Sequence, residues 1–151
     1  MHLDYRPARS EEAAEYVSLR GKTRQNAFSE ERLRSIGVTV ETWGSGIASG
    51  SLPGHVCAVD GTVVGYCFGD RDTGEVVVVA VLPDFEGLGI GREVLRRTVN
   101  EMVGLGHRRL FLSCSPYPES RSYGFYRRLG WRSTGTFDAN GDEVLEIFVE
   151  T

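Results

Sequence analysis

Apolar and polar residues follow two different periods along the chain, and these periods predict a mixture of strands and helices. Residues 3–6 alternate between the two classes and predict a short first strand. Ser10, followed by two glutamates, predicts the start of a helix that runs to about Gly21, and Ser29 predicts the start of a second helix. The stretch from Gly37 to Gly54 favours neither period and is left unassigned.

The remainder of the chain predicts a sheet with two further helices. Apolar runs at 55–59 and 62–68 flank an Asp60-Gly61 turn and predict a hairpin. The β-branched run 75–82 predicts a strand that is buried on both faces and therefore central in the sheet. An apolar stripe that begins at Leu88 and continues to Met102 predicts the third helix. A fourth helix is predicted at 120–129, and three more strands at 109–113, 131–137 and 144–149. The order βααβββαβαββ indicates a mixed α/β (α+β) fold, with antiparallel hairpins and helices on the faces of the sheet.

Composition limits the classes of protein that fit this pattern. The 151 residues, 40% of them hydrophobic, suit one domain spanning 1–151. No apolar run approaches the roughly 20 residues that cross a bilayer, and the first six residues lack a secretory signal, so a cytoplasmic protein without membrane contact is expected. The net charge of -4, with dispersed basic residues, argues against a nucleic-acid partner. No Cys/His spacing indicates a metal site, and small buried hydrophobes are expected at Cys57, Cys67 and Cys114.

A glycine-rich turn between the apolar strand and the third helix suits an anionic phosphate. The range Gly87–Gly91 places glycines at alternate positions where a helix begins, so backbone amides and the positive helix end converge on one point. Arg92 adds a cation. A P-loop is excluded because Arg92-Glu93 stands where Lys and Ser or Thr are needed. A dinucleotide-binding turn fails because Arg92 stands where its third glycine is needed. A plain flexible turn is the structural alternative.

Two blocks of residues together resemble a known enzyme family. Val81-x-Pro83 followed by Glu86-x-x-Gly89-x-Gly91 resembles the Gln/Arg-x-x-Gly-x-Gly/Ala signature of the GNAT N-acetyltransferase superfamily. Downstream, Phe-Tyr-Arg-Arg-Leu-Gly-Trp at 125–131 is similar to the family's Phe-Tyr-x-x-Leu-Gly-Phe. The resemblance implies the GNAT acyl-CoA N-acyltransferase fold, with a mixed, mostly antiparallel central sheet. It also implies transfer of an acetyl group from acetyl-CoA to a primary amine by direct attack in a ternary complex.

The resemblance assigns residues to the cofactor and leaves two departures. Glu86 stands where the family has Gln or Arg, and we expect its side chain to point to solvent while Arg92 compensates its charge. Glu119 stands where the family often has Asn. The resemblance implies that CoA contacts come from Ala80, Val81, Leu82, Glu86, Gly87, Leu88, Gly89, Ile90, Gly91, Arg92 and Tyr126.

The same resemblance implies three catalytic roles. The Val81 N–H is the candidate oxyanion donor, and the Tyr126 phenol is the candidate acid for the departing thiolate. A core aromatic is the alternative interpretation of Tyr126. Glu75 resembles the glutamate that histone acetyltransferases use as a base, and a solvated carboxylate with water as the base is its alternative. Other polar candidates near the expected cleft are Tyr66, Asp70 and Glu119.

The sequence does not identify which amine accepts the acetyl group. By resemblance, residues 20–43 wall its site, and Gln25, Phe28 and Trp43 are the candidate contacts. The acceptor is a small-molecule amine or a peptide N-terminus, and a homodimer is one possible assembly. A non-catalytic acyl-CoA-binding regulatory module and a nucleotide-binding protein are the alternative functions.

Overall fold

The computed structural model describes residues 1–23 and 30–150. Its N-terminal part contains one strand and three helices. They are β1 (Asp4–Pro7), α1 (Ala13–Arg20), α2 (Glu30–Ser35) and α3 (Val40–Ser49). A short 3-10 turn at Ser10–Glu12 leads into α1, and Ser10 makes no capping hydrogen bond there, contrary to expectation. The predicted start of the second helix at Ser29 lies outside the described residues.

The helix α3 occupies the stretch that the sequence left unassigned. Thr39 caps it: its hydroxyl accepts from the Thr42 amide at 3.0 Å, and the Thr42 hydroxyl accepts from the Thr39 amide at 2.9 Å. Such a reciprocal cap fixes the first turn even though Gly44 and Gly46 lower the helix propensity. Gly50, at φ +85°, ends the helix. The observed order therefore contains one helix more than predicted.

The strands form two antiparallel sheets. The first has the order β1-β2-β3-β4, with β2 (Gly54–Val59), β3 (Thr62–Gly69) and β4 (Val76–Val81). The helix α4 (Ile90–Gly104) follows β4. The second sheet has the order β5-β7-β6, from β5 (Arg109–Cys114), β6 (Arg132–Phe137) and β7 (Glu143–Phe148), with α5 (Arg121–Arg128) between β5 and β6.

The two sheets touch where β4 and β5 begin, and then diverge. Glu75 and Phe111 form an isolated parallel bridge, and the Phe111 amide donates to the Gly74 carbonyl at 3.2 Å. The prediction that β4 is central and buried on both faces is wrong, because β3 is the only strand that pairs with it along its length in the described part of the chain. Val77 is accordingly 41% exposed.

Two apolar clusters pack on opposite faces of the first sheet. One joins α4 and α5 to the sheet, and Tyr126 and Trp131 belong to it. The other joins α1 and α3 to the sheet, where Trp43 packs against Tyr66 and Phe68. The three cysteines are free and buried, as expected. Within the described residues, no helix has the length and apolar character needed to cross a membrane.

Candidate active site

The divergence of β4 from β5 opens a cleft of about 980 Å³. One wall is the whole of β4, and the facing wall is the C-terminal half of β5 together with α5. The glycine turn closes one end, and Arg20, Asn140 and Asp142 reach the lining from α1 and from the β6–β7 turn. The cleft exists because the two strands are held together at their first residues and separate beyond them.

The glycine turn places the start of α4 at the end of the cleft. Gly87 and Gly89 have φ near +82° and +81°, a region that only glycine enters easily. Gly89 is the N-cap and has no side chain to offer, so the first-turn amides of α4 are directed toward the cleft without a side-chain cap. Ile90, the first helical residue, is 1% exposed and packs on Gly65 of β3, where an added Cβ would lie 2.8 Å from it. This contact holds the helix end close to the sheet.

The side chain of Glu86 was expected to point to solvent, and the structure contradicts this expectation. It is 16% exposed, and one of its oxygens lies 3.3 Å from a guanidinium nitrogen of Arg121. The compensating cation therefore comes from the first residue of α5, because that helix crosses the glycine turn, and the pairing expected from Arg92 is not the one observed. Arg92, Arg121 and Arg128 all line the cleft. Sequence reasoning missed the last two, although their spacing of seven places them on one helical face.

The edge of β4 presents backbone groups to the cleft. The Leu82 amide donates to the Val64 carbonyl of β3 at 2.9 Å, and backbone groups alternate sides along a strand. The amides of Val79 and Val81 therefore face the cleft, whereas those of Ala80 and Leu82 face β3. The amide of Val81, the candidate oxyanion donor, is thus one of two that face the cleft, and the second, that of Val79, was not among the candidates.

Two of the predicted cofactor contacts are not in the cleft lining. The Leu82 amide donates its hydrogen bond to β3 and does not face the cleft. Leu88 lies in the turn before α4, is 45% exposed and does not line the cleft. Leu88 was also predicted to begin the helical stripe, but α4 starts only at Ile90 because Gly89 takes the left-handed cap conformation. The remaining cofactor candidates (Ala80, Val81, Glu86, Gly87, Gly89, Ile90, Gly91, Arg92 and Tyr126) all line the cleft.

Tyr126 lies in the wall formed by α5 and is 9% exposed. Its ring packs against Phe125 and Trp131 at centroid distances of 5.0 and 6.1 Å. Its hydroxyl has no hydrogen-bond partner among the described residues, and the side chain lines the cleft. Burial raises the pKa of this phenol, and the nearby thiols of Cys67 and Cys114 add to the rise, while Arg20 opposes it. The hydroxyl therefore stays protonated and can donate.

Glu75 lies in the cleft where β4 and β5 meet. It is half-buried, and burial followed by repulsion from Asp70 and Asp138 raises the pKa of its carboxyl. Asp142 lines the cleft from the neighbouring turn, and burial together with Asp138 raises the pKa of its carboxyl as well. A carboxyl with a raised pKa is a better proton acceptor near neutral pH than an ordinary one.

The other polar candidates do not line the cleft. Tyr66 is fully buried and donates its hydroxyl to the Tyr16 carbonyl at 2.7 Å. Asp70 accepts the amides of two residues in its own turn, and Glu119 is exposed outside the lining.

Only part of the predicted acceptor wall is found at the cleft. Trp43 is 6% exposed and packs in the cluster on the α1 side, so it does not contact the cleft. Its ring packs instead against the rings of Tyr66 and Phe68, at centroid distances of 5.9 and 5.2 Å. Gln25 and Phe28 lie outside the described residues. Arg20, Thr23 and Ile36 line the cleft from that wall.

No group of three or more potential metal ligands occurs in the part of the chain that the structure describes.

The sequence matches the model of the Acetyltransferase (GNAT) family over residues 15–131. The chain belongs to this family. The match confirms the predicted class, an acetyl-CoA-dependent N-acetyltransferase. A search of curated protein sequences finds no match.

Solved structures confirm the predicted fold. The chain is similar to PaiA N-acetyltransferase from Thermoplasma acidophilum in complex with coenzyme A, with 18% identity, a TM-score of 0.83, and coverage of 99% of this chain and 100% of that one. It is also similar to a putative acetyltransferase of the GNAT family from Desulfovibrio desulfuricans, with 20% identity, a TM-score of 0.81, and coverage of 99% of this chain and 100% of that one. A third similar structure is that of YncA from Salmonella typhimurium, a putative acetyltransferase with its cofactor acetyl-CoA. Its identity is 16%, its TM-score is 0.75, and the match covers 100% of this chain and 96% of that one.

Proposed function

We propose that this chain transfers the acetyl group of acetyl-CoA to a primary amine inside the β4–β5 cleft, by direct attack in a ternary complex. One observation carries the proposal. Within the part of the chain that the structure describes, a single cleft joins a helix start without a side-chain cap, a strand edge whose Val79 and Val81 amides face the cleft, and a buried Tyr126 hydroxyl without a hydrogen-bond partner. Each of these features matches one chemical need of acetyl transfer from a thioester.

The phosphates of the cofactor are held at the glycine turn in this proposal. The amides of Gly87–Gly91 and the positive end of α4 bind the pyrophosphate. Arg92 and Arg128 add positive charge at the same end, and Arg121 balances the carboxylate of Glu86. Because backbone amides do most of the binding, a glutamate at position 86 is compatible with CoA as long as its charge is paired.

The acyl end of the cofactor lies along the edge of β4. The Val81 and Val79 amides donate to the pantetheine and to the carbonyl oxygen that gains negative charge on attack. These donors are held by the β3–β4 pairing before any ligand binds, so no reorganisation is needed when the charge develops.

Two side chains move the protons. Glu75, acting through a water, accepts the proton that the ammonium group must lose before it attacks. Tyr126 donates its proton to the sulfur as the C–S bond breaks. The C–N bond forms as the C–S bond breaks, and the nitrogen then loses its second proton, which reprotonates the Tyr126 phenolate. The products are the amide and the CoA thiol, and the one net proton released is the one taken up through Glu75.

Ligand-dependent stability tests the cofactor assignment. Melting curves are recorded with acetyl-CoA, CoA, ATP and NAD⁺. We expect both CoA species to stabilise the fold by about 2.7 kcal/mol at roughly 100 times their dissociation constant, and the nucleotides to do so far less. Protection by ATP or NAD⁺ alone contradicts the assignment. Release of free thiol from acetyl-CoA across an amine panel then tests catalysis, and tight CoA binding without thiol release with any amine identifies a non-catalytic CoA-binding module.

A further inference from the structure

One buried hydroxyl in the wall of the cleft lacks a hydrogen-bond partner among the residues that the structure describes. It belongs to Ser122, the second residue of α5, whose side chain lines the cleft. A buried polar group of this kind gives up its hydrogen bonds to water and gains none in return, so it destabilises the fold. The serine therefore carries a cost in stability that calls for an explanation.

The helix itself does not explain a serine at this position. The N-cap of α5 is Ser120, so Ser122 lies inside the first turn and is not the cap residue. A serine inside a helix is usually satisfied by a backbone carbonyl of the preceding turn, and within the described residues Ser122 makes no such bond. Alanine has a higher helix propensity and buries no polar atom. Because the side chain lines the cleft, a ligand there is in a position to supply the missing partner.

Ser122 lies between the two ends of the proposed cofactor site. Arg121, the residue before it, pairs with Glu86 at the glycine turn, where the phosphates bind in the proposed function. Tyr126 follows Ser122 by one helical turn, about 6 Å along the helix axis, and is the proposed donor to the sulfur. Residues four apart share one face of a helix, and both side chains line the cleft. Ser122 is therefore placed beside the pantetheine arm, the part of CoA that links the phosphates to the sulfur.

The pantetheine arm needs hydrogen-bond partners on the walls of the cleft. It carries two amide groups, and each has an N–H donor and a carbonyl acceptor that lose water when the arm enters. The amides of Val79 and Val81 supply donors from the edge of β4. Ser122 lies on the facing wall, and a hydroxyl both donates and accepts. Rotation about a single bond moves its oxygen among three staggered positions, so the helix need not move to meet the arm.

We propose that Ser122 is a cofactor-binding residue, and that its hydroxyl hydrogen-bonds to an amide group of the pantetheine arm. This contact satisfies the buried oxygen of Ser122 and one amide group of the arm together. It also fixes the arm along α5 between the glycine turn and Tyr126, and so sets how far the thioester extends along β4. The inference rests on the proposed acetyl transfer and adds one residue to its cofactor site.

Removal of the Ser122 hydroxyl should have opposite effects on the stability of the chain and on its affinity for CoA. Without ligand, Ser122→Ala removes an unsatisfied buried oxygen, and we expect the melting temperature to rise by roughly 2–4 °C. With CoA, one amide group of the arm loses its partner, and we expect the dissociation constant in titration calorimetry to rise by about 3-fold to 10-fold. A serine that serves only the fold does not produce this pair of changes.

A control variant and a second ligand separate this contact from other effects. Ser18→Ala makes the same replacement at an exposed position of α1 outside the cleft lining, so it reports the gain in helix propensity alone. Adenosine 3′,5′-bisphosphate carries phosphates and lacks the pantetheine arm, and we expect it to bind wild type and Ser122→Ala equally well. In steady-state kinetics the loss should appear in the KM for acetyl-CoA rather than in kcat, because the contact is the same before and during the reaction.

Three outcomes overturn the inference. CoA binds Ser122→Ala as tightly as wild type, or the melting temperature of Ser122→Ala rises no more than that of Ser18→Ala, or the bisphosphate loses affinity by the same factor as CoA. Each of these leaves the proposed acetyl transfer intact, because wild type still binds CoA and releases thiol. Wild type that does not bind CoA, or releases no thiol with any amine, is the separate failure of the proposed function. Circular dichroism confirms that each variant is folded.

Discussion

Removal of one oxygen atom from Tyr126 tests the proton-donor assignment. Tyr126→Phe keeps the ring contacts with Phe125 and Trp131 and deletes a hydroxyl that has no hydrogen-bond partner among the described residues. No buried partner is left unsatisfied there, so we expect the free energy of unfolding to change by less than about 1 kcal/mol. Binding of CoA is expected to persist, because the phosphate contacts come from the glycine turn.

The expected kinetic effect is much larger than the effect on stability. General acid catalysis contributes about 10²-fold to 10⁴-fold in rate, which corresponds to about 2.7–5.4 kcal/mol in the activation free energy. Since burial raises the pKa of the Tyr126 phenol, the hydroxyl stays protonated around neutral pH and its titration does not limit the rate there. The loss in kcat should therefore be nearly constant around neutral pH.

The assay is thiol release from acetyl-CoA at saturating acceptor, with melting temperature and CoA affinity measured on the same samples. Tyr123→Phe is the matched control, because Tyr123 lies on the same helix but outside the cleft lining, and its ring stacks under the guanidinium of Arg127 at 3.7 Å. Full activity in Tyr126→Phe refutes the reasoning. So does an equal loss in the control, because the effect then belongs to the helix.

Three further predictions follow from the geometry. Glu75→Gln should lower kcat/KM, and an unchanged rate contradicts the role of Glu75 as the base. The same variant should raise the melting temperature at neutral pH, because the raised pKa of the Glu75 carboxyl means that its charged form destabilises the fold. Glu75 is protonated in both the folded and the unfolded state below pH ~4, so the advantage of the variant should vanish there. Gly65→Ala should destabilise the fold by about 1–3 kcal/mol and weaken acetyl-CoA binding, because the new methyl group lies 2.8 Å from Ile90 at the start of α4. Gly104→Ala is the control, because nothing lies within 4 Å of its added Cβ, and it should have neither effect. Calorimetry compares the two variants. Gly89→Ala should cost about 1–2 kcal/mol through its φ of +81° alone and weaken CoA in titration calorimetry, so unaltered affinity speaks against the turn as the phosphate site.

The sequence was sufficient for features that depend on local patterns. The hairpins, the helix after the glycine turn and the helix at 120–129 follow from period and turn residues, and each of them is present. The helix α3 was missed because a Thr-x-x-Thr cap lacks the usual acidic partner and because glycines dilute the apolar period. The structure shows that the cap and the burial of Trp43 outweigh that dilution.

Long-range pairing accounts for most of the remaining differences. The run of valines in β4 has the same sequence pattern whether its second edge faces a strand or a ligand cleft, so its place in the sheet could not be derived locally. The partner of Glu86 likewise depends on where α5 crosses the turn, which brings Arg121 to it from far along the chain. The position of Arg20 at the cleft follows from the packing of α1 on the first sheet, and the sequence placed it only within the acceptor wall at 20–43 that the resemblance implies.

The bridge between Glu75 and Phe111 has a consequence for what can reach the open edge of β4. An unpaired strand edge is normally a template on which another polypeptide can add itself as a further strand. Here β5 and α5 stand beside the edge, and the bridge closes the gap at one end. At that end β5 already occupies the position that an added strand would take, so another polypeptide cannot pair along the whole length of β4.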